Sequence, residues 1–224
     1  MLDVQSFQGY GSNYIKKAGF SPDAFVQMAI QLATYRLWGK PSATYEATQM
    51  RPFLHGRTET TRTVSEESVA FVEKMGLRPC SDPEEKAEKL TLLQNAVNSH
   101  VKYISAAVKG KGVDRHFFGM SMIAAEDMNI QKLNLYEDPL FNLAKTWRVS
   151  TSHLTHPNFD NWGFGEVVPN GVGVGYGVKA DSCIFNITAR REHGWTGDLS
   201  HFLEEALLEM KSLTEGTVIP SSKL

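Results

Sequence analysis

Arg148-Val149-Ser150-Thr151-Ser152, then Gly173-Val174-Gly175-Tyr176-Gly177-Val178 and Cys183-Ile184-Phe185-Asn186-Ile187-Thr188-Ala189, form the stretch on which the fold turns. Short runs rich in β-branched and aromatic residues, cut by Pro169-Asn170-Gly171 and Ala180-Asp181-Ser182, predict successive strands. Gly163 to Val168 is expected to add another. Upstream the period lengthens. Ser21-Pro22-Asp23 opens an apolar helix through Phe25, Met28, Leu32 and Leu37, with Ser21 near the N-cap, Pro22 at the first position and an end near Gly39. Ser42 to Met50 reads as β, and helical patterns follow at Ser65 to Met75, at Asp82 to Lys109 and from Asp114 to about Met128. Ser65 with Ser68 is read as lacking a full capping box. A last helix is expected from about Thr196 to Leu213. Helices, then strands, then a closing helix predict an α/β domain, a mixed β-sheet layered with helices, over residues 1–215, with an exposed tail at 216–224.

The 224 residues are 42% hydrophobic and 21% charged, the balance of a globular chain. No run approaches the roughly 18 apolar residues of a membrane span. With 23 Lys and Arg against 25 Asp and Glu the net charge is -2, so no overall basic field exists to gather nucleic acid, and any anion site must be local. Cys80 and Cys183 lie far apart without a C-x-x-C spacing, which fits a reducing compartment, and no metal site is expected. The N-terminus has neither a signal core nor a transit pattern. The chain closes on Ser222-Lys223-Leu224, the tripeptide that a peroxisomal import receptor reads, behind a tether containing Gly216 and Pro220. The peroxisomal matrix is the expected address.

Two stretches carry chemistry. Thr44-Tyr45-Glu46 leading to Gly56-Arg57-Thr58-Glu59-Thr60-Thr61-Arg62 packs hydroxyls, a phenol and two arginines into under twenty residues. Tyr45 and Thr58 can each donate to a carboxylate and an arginine adds a charge-assisted pair, although the same composition also makes a solvated, salt-bridged loop. Ser150-Thr151-Ser152 precedes a run of closely spaced glycines beginning Trp162-Gly163-Phe164-Gly165. Hydroxyls at a strand end can stabilise an oxyanion and glycines let a ligand approach the backbone, or these are strand serines and turn glycines.

Taken in order, Ser21-Pro22-Asp23-Ala24-Phe25, Tyr45-Glu46, Gly56-Arg57-Thr58-Glu59-Thr60 with Arg62, Asp114-Arg115-His116, Ser150-Thr151-Ser152 and Phe164-Gly165 with Val167-Val168-Pro169 resemble landmarks of the carnitine/choline acyltransferase family. The resemblance runs from residue 9 to about 210. It implies one incomplete domain of a two-domain enzyme that moves an acyl group between coenzyme A and the hydroxyl of carnitine or choline, so acyl-CoA is the expected cosubstrate. It also implies roles at matching positions. Tyr45, Thr58 and Arg115 would grip the carnitine carboxylate, and Phe164 would lie near the trimethylammonium group. Ser152 would bond the reacting oxygen or the oxyanion, with Ser150 beside it. Lys16, Asp23 and Glu46 would lie on the coenzyme side, where Ser12 stands in place of a second expected lysine. Carnitine is favoured over choline because choline has no carboxylate to occupy those donors. Trp162 stands where bulk blocks the acyl tunnel in short-chain members, so acetyl or another short acyl group is expected; the residue also reads as a core aromatic in a shifted loop. His153 replaces a glutamine and Glu166 a proline of the family pattern.

The mechanism so implied needs a histidine to take the proton of the carnitine hydroxyl, in a His-x-x-x-Asp or His-x-x-x-Glu motif upstream of everything matched. None of the seven histidines sits in such a context, and His156 with Asp160 has the spacing alone. The expectation is a C-terminal segment that supplies the carboxylate clamp and the oxyanion donor, is inactive by itself, and leaves apolar surface exposed where the missing N-terminal half would cover it. The alternative is a noncatalytic ligand-binding or interaction module derived from such an enzyme. A hydrolase using His156 with Ser150 or Ser152 lacks a G-x-S-x-G elbow.

Overall fold

Alternation along the C-terminal strands sorts side chains onto two unlike faces of a sheet, and the rest of the fold follows from covering one of them. The computed structural model describes residues 1–79, 84–126 and 133–216. Its strands are β1 (Leu2–Phe7), β2 (Thr44–Gln49), β3 (Thr58–Arg62), β4 (Val149–His153), β5 (Val172–Val178) and β6 (Cys183–Ala189). They lie in the order β1-β6-β5-β4-β2-β3. The pairs β2/β4 and β4/β5 are parallel and the other three antiparallel, so the sheet is mixed.

On one face Val149, Val172, Val174, Tyr176, Phe185 and Ile187 are buried, and helices cover them. The central cover is α2 (Pro22–Trp38), which buries residues all round its circumference and packs against α4 (Lys86–Val108) and α7 (Trp195–Thr214). Burying Phe25, Ile30, Leu32, Leu93, Leu203 and Leu207 here removes side chains worth about 1.5–3 kcal/mol each from water. Pro22 starts α2, where its missing N–H costs no helical bond, and Gly39 ends it at φ 67°, a left-handed conformation that glycine adopts without a Cβ penalty. Ser21 is the N-cap residue, yet its side chain makes no cap bond. The remaining helices are α1 (Ser12–Lys17), α3 (Glu66–Met75), α5 (Asp114–Glu126) and α6 (Pro139–Ala144).

Three sequence expectations change. Gly163 to Val168 forms no strand but crosses the sheet as an irregular segment. The edge strands β1 and β3 and the short helices α1 and α6 are additional. Ser65 and Ser68 do form a capping box, each hydroxyl bonded to the other's backbone N–H, so serine at N3 replaces the usual Glu or Gln. Cys183 is buried, and burial pushes its thiol up to about 12, which makes it inert. Cys80, Asp82, Met128 and Ser222-Lys223-Leu224 lie outside the described residues.

Candidate active site

The second face of the sheet is polar and carries no covering helix layer. Register places Thr58, Thr60 and Arg62 of β3, Tyr45 and Ala47 of β2, Ser150 and Ser152 of β4, and Gly173 and Gly175 of β5 on this side. Directly paired residues share a face, so Tyr45 stands beside Ser150 and Ser152 beside Gly175, each one strand spacing, about 4.8 Å, apart. Arg115, the second residue of α5, closes over this row from the β3 edge. Its guanidinium donates from Nη2 to the Tyr45 hydroxyl at 3.2 Å and to Thr58 Oγ1 at 3.1 Å, and from Nε to the Thr58 carbonyl at 2.9 Å. The three groups named from sequence as one clamp therefore meet at one point. Tyr45 is braced by Trp147, whose ring lies edge-on at 5.7 Å and carries the Arg62 guanidinium at 4.8 Å on its face.

Alternation splits Ser150-Thr151-Ser152. Thr151 turns into the covered face, where it accepts from Gln27 at 2.9 Å and donates to the Tyr45 carbonyl at 2.9 Å. The serines face the other way, and neither hydroxyl has a partner among the described residues; Ser152 is half-buried and Ser150, at 4% exposure, lies next to it in the row. Gly173 and Gly175 of β5 lie close to the chain's own backbone. A Cβ on Gly173 would lie 2.9 Å from the Gly165 carbonyl oxygen and one on Gly175 would lie 3.0 Å from that of Trp162. These glycines let the chain's own Trp162–Gly165 segment lie on β5, tied down by the Thr188 hydroxyl on the Phe164 carbonyl at 2.6 Å. Trp162 and Phe164, both half-buried, stack at 5.7 Å at the end of the row beyond the serines.

Two residues expected on the coenzyme side, Asp23 and Glu46, take part in a polar network in the covered face. Glu46 is 2% exposed and its carboxylate lies 2.5 Å from His100 Nε2 of α4. Asp23, in the first turn of α2, bonds His153 Nδ1 at 2.9 Å and accepts from the Tyr176 hydroxyl at 2.7 Å, while Gln27 donates to the same hydroxyl. Burial raises the Glu46 carboxyl to about 7, against the opposing pull of His100. Burial lowers the His100 imidazole, but the bond and charge of Glu46 outweigh it and the net direction is up. For Asp23 burial is likewise outweighed, here by His153, with help from Tyr176 and His100, and its carboxyl falls to about 2. Asp23, Glu46 and His100 bring ligand-type atoms within 4.8 Å of one another, and hydrogen bonds engage His100 Nε2, one Glu46 oxygen and one Asp23 oxygen. Lys16 alone of the three coenzyme-side residues is exposed. Sequence reasoning missed His100, although it falls on the apolar stripe of α4 seven residues after Leu93, the position of a residue that must be buried and paired.

The family model for choline/carnitine O-acyltransferases matches residues 1–205. The chain belongs to that family. Carnitine O-acetyltransferase of Columba livia is 39% identical over 99% of this chain and 34% of its own length. The mitochondrial carnitine O-acetyltransferase of Saccharomyces cerevisiae is 37% identical over 100% of this chain and 33% of its own. Choline O-acetyltransferase of Danio rerio is 33% identical over 95% and 33%. The chain thus spans about a third of the length of the curated relatives it matches. Among solved structures, a wax ester synthase/diacylglycerol acyltransferase from Marinobacter aquaeolei VT8 aligns with 95% of this chain and 48% of that chain, at 13% identity and TM-score 0.43.

In this choline/carnitine acyltransferase chain, no histidine among the described residues hydrogen-bonds Ser150 or Ser152. His156 Nδ1 accepts from the Asn158 N–H and Asp160 pairs with Lys179 at 3.2 Å, so the His156–Asp160 spacing makes no catalytic pair. Around the clamp the surface is apolar and uncovered. Neither α5 nor α6 buries a residue, and Phe118, Ile123, Leu140 and Leu143 are all exposed, Leu140 by 75%. A cavity of about 170 Å³ opens behind Arg115 between Thr60, Phe117, Tyr136, Phe141 and Trp147. A larger one of about 570 Å³ lies where α6 meets Arg62, Trp147 and Arg148. No helix among the described residues is long and apolar enough to cross a membrane.

Proposed function

We propose that the chain forms the carnitine-binding part of a carnitine O-acyltransferase for short acyl groups, acetyl foremost, with acyl-CoA as cosubstrate. The observation that carries this reading is the convergence of the Arg115 guanidinium with the Tyr45 and Thr58 hydroxyls on an open sheet face. Three donors around one point suit a carboxylate, which carnitine has and choline lacks. Beside them, the unpartnered Ser152 hydroxyl would donate to the oxygen that becomes negative when the carnitine hydroxyl attacks the thioester carbonyl, with Ser150 supporting it. Phe164 would face the trimethylammonium group, and Trp162, stacked on it, would shorten the space left for an acyl chain. The base that takes the hydroxyl proton would come from sequence outside this chain, and the departing coenzyme A thiolate would receive a proton. Lys16, the exposed one of the coenzyme-side residues, would meet a phosphate of the coenzyme. The exposed apolar residues of α5 and α6 fit a chain that works against a further protein segment. Ser222-Lys223-Leu224 would direct the protein to the peroxisomal matrix.

The test is acetyl transfer followed by release of coenzyme A thiol. The chain alone is expected to give no carnitine-dependent release. Joined behind the upstream two thirds of the Columba livia relative, it is expected to give carnitine-dependent release, reduced about a hundredfold by Ser152→Ala. A joined protein that folds and transfers to neither carnitine nor choline would favour the noncatalytic module, and transfer to choline alone would overturn the carnitine assignment.

A further inference from the structure

The direction of Arg115 depends on where α5 begins, and β3 holds that point from both sides. As the edge strand of the sheet, β3 can reach the start of α5 with side chains of either face. From one face Arg62 grips the Asp114 carboxylate with two bonds, at 2.7 and 3.0 Å. From the other comes Glu59, 3% exposed, whose Oε1 accepts the backbone N–H of Thr60 at 2.7 Å and that of Arg115 at 3.3 Å. Gly112 permits this approach, because a Cβ there would collide with the Glu59 side chain. Arg115 is the second residue of α5, so its N–H has no acceptor within the helix. A carboxylate at that end also meets the positive pole of the helix dipole.

We propose that Glu59 is a positioning residue for Arg115. Its buried carboxylate fixes the first turn of α5, so that the guanidinium is already directed at Tyr45 and Thr58 in the absence of ligand. Glu59 touches no substrate and acts only through Arg115. Its effect on ligand binding rests on the carboxylate-clamp reading given above; its effect on Arg115 itself does not.

The experiment measures hydrogen exchange of the Arg115 backbone amide and the Arg115 side-chain Nε–H resonance by NMR, in the unaltered chain, Glu59→Ala and Glu59→Gln. Calorimetry with L-carnitine runs alongside. In the unaltered chain the Arg115 amide is expected to exchange slowly, because Glu59 is its acceptor among the described residues. Glu59→Ala is expected to lose this protection, move the Nε–H resonance toward that of a free arginine and weaken carnitine binding about tenfold. Glu59→Gln keeps an acceptor oxygen and is expected to keep the protection, with affinity within about threefold. An Arg115 amide that exchanges in the unaltered chain as fast as an exposed one overturns the proposal, and this reading decides even if Glu59→Ala fails to fold. So does a side-chain resonance unmoved in Glu59→Ala. If the exchange pattern is as expected but the unaltered chain binds no carnitine, the clamp reading fails and the positioning role stands.

Discussion

The same strands present two faces that answer to different physics. On the covered face Val149, Val174, Phe185 and Ile187 pack beneath α2, α4 and α7, and polar groups admitted there bond one another, as Thr151 does Gln27 and Glu46 does His100. One register step away, Tyr45, Ser150 and Ser152 face outward, the serines with hydroxyls that bond nothing among the described residues. Burial drives polar groups to pair, whereas hydroxyls on the uncovered face can stay unpaired and free to meet a ligand.

The largest expected contrast comes from truncating one residue on each face. Phe185→Ala should lower unfolding free energy by about 3–5 kcal/mol, measured by urea denaturation. Arg115→Ala, at an exposed position, should leave the denaturation midpoint almost unchanged while weakening carnitine binding about a hundredfold. A large stability loss in Arg115→Ala would mean that the clamp is a structural device. Tyr45→Phe sharpens the comparison further, since it removes one donor and keeps the ring on Trp147; an affinity loss of about fivefold with unchanged stability is expected by calorimetry.

A smaller effect belongs to the covered face. In the folded chain Glu46 and His100 retain protons at pH values where the unfolded chain has released them, because both values are raised. Stability should therefore fall as pH rises from about 5 through 7, and Glu46→Gln should flatten that slope. Asp23, lowered to about 2, acts oppositely: its contribution is complete above its ordinary value of 3.8 and is lost as pH falls through 2. Melting temperatures between pH 2 and 8 check both directions, with shifts of roughly a few degrees. A profile of Glu46→Gln parallel to that of the unaltered chain would show that the pair does not titrate as described.

What the sequence made legible follows the same division. Apolar periodicity revealed α2, α4 and α7, because burial on that face is hydrophobic and leaves a period. It missed β3, whose Thr58-Glu59-Thr60-Thr61-Arg62 has no apolar alternation: Glu59, Thr60 and Thr61 are buried as polar groups at the sheet edge. It took Gly163 to Val168 for a strand, since a segment lying flat on glycines carries the same β-like composition as a paired one. The Glu46–His100 pair joins residues 54 apart, which no local pattern reports. On the open face, side-chain chemistry pointed to Tyr45, Thr58 and an arginine, but Arg115, far along the chain on a third element, was named only through the family resemblance. Its support by Glu59 was not readable, because the bond runs to a backbone N–H and leaves no mark on residue choice at Arg115.

The most direct test of the two-face account is calorimetric titration of the chain with L-carnitine and, separately, with choline. The account predicts a saturable heat with carnitine that disappears in Arg115→Ala, and none with choline. Equal binding of the two ligands, or carnitine binding that survives Arg115→Ala, would contradict it.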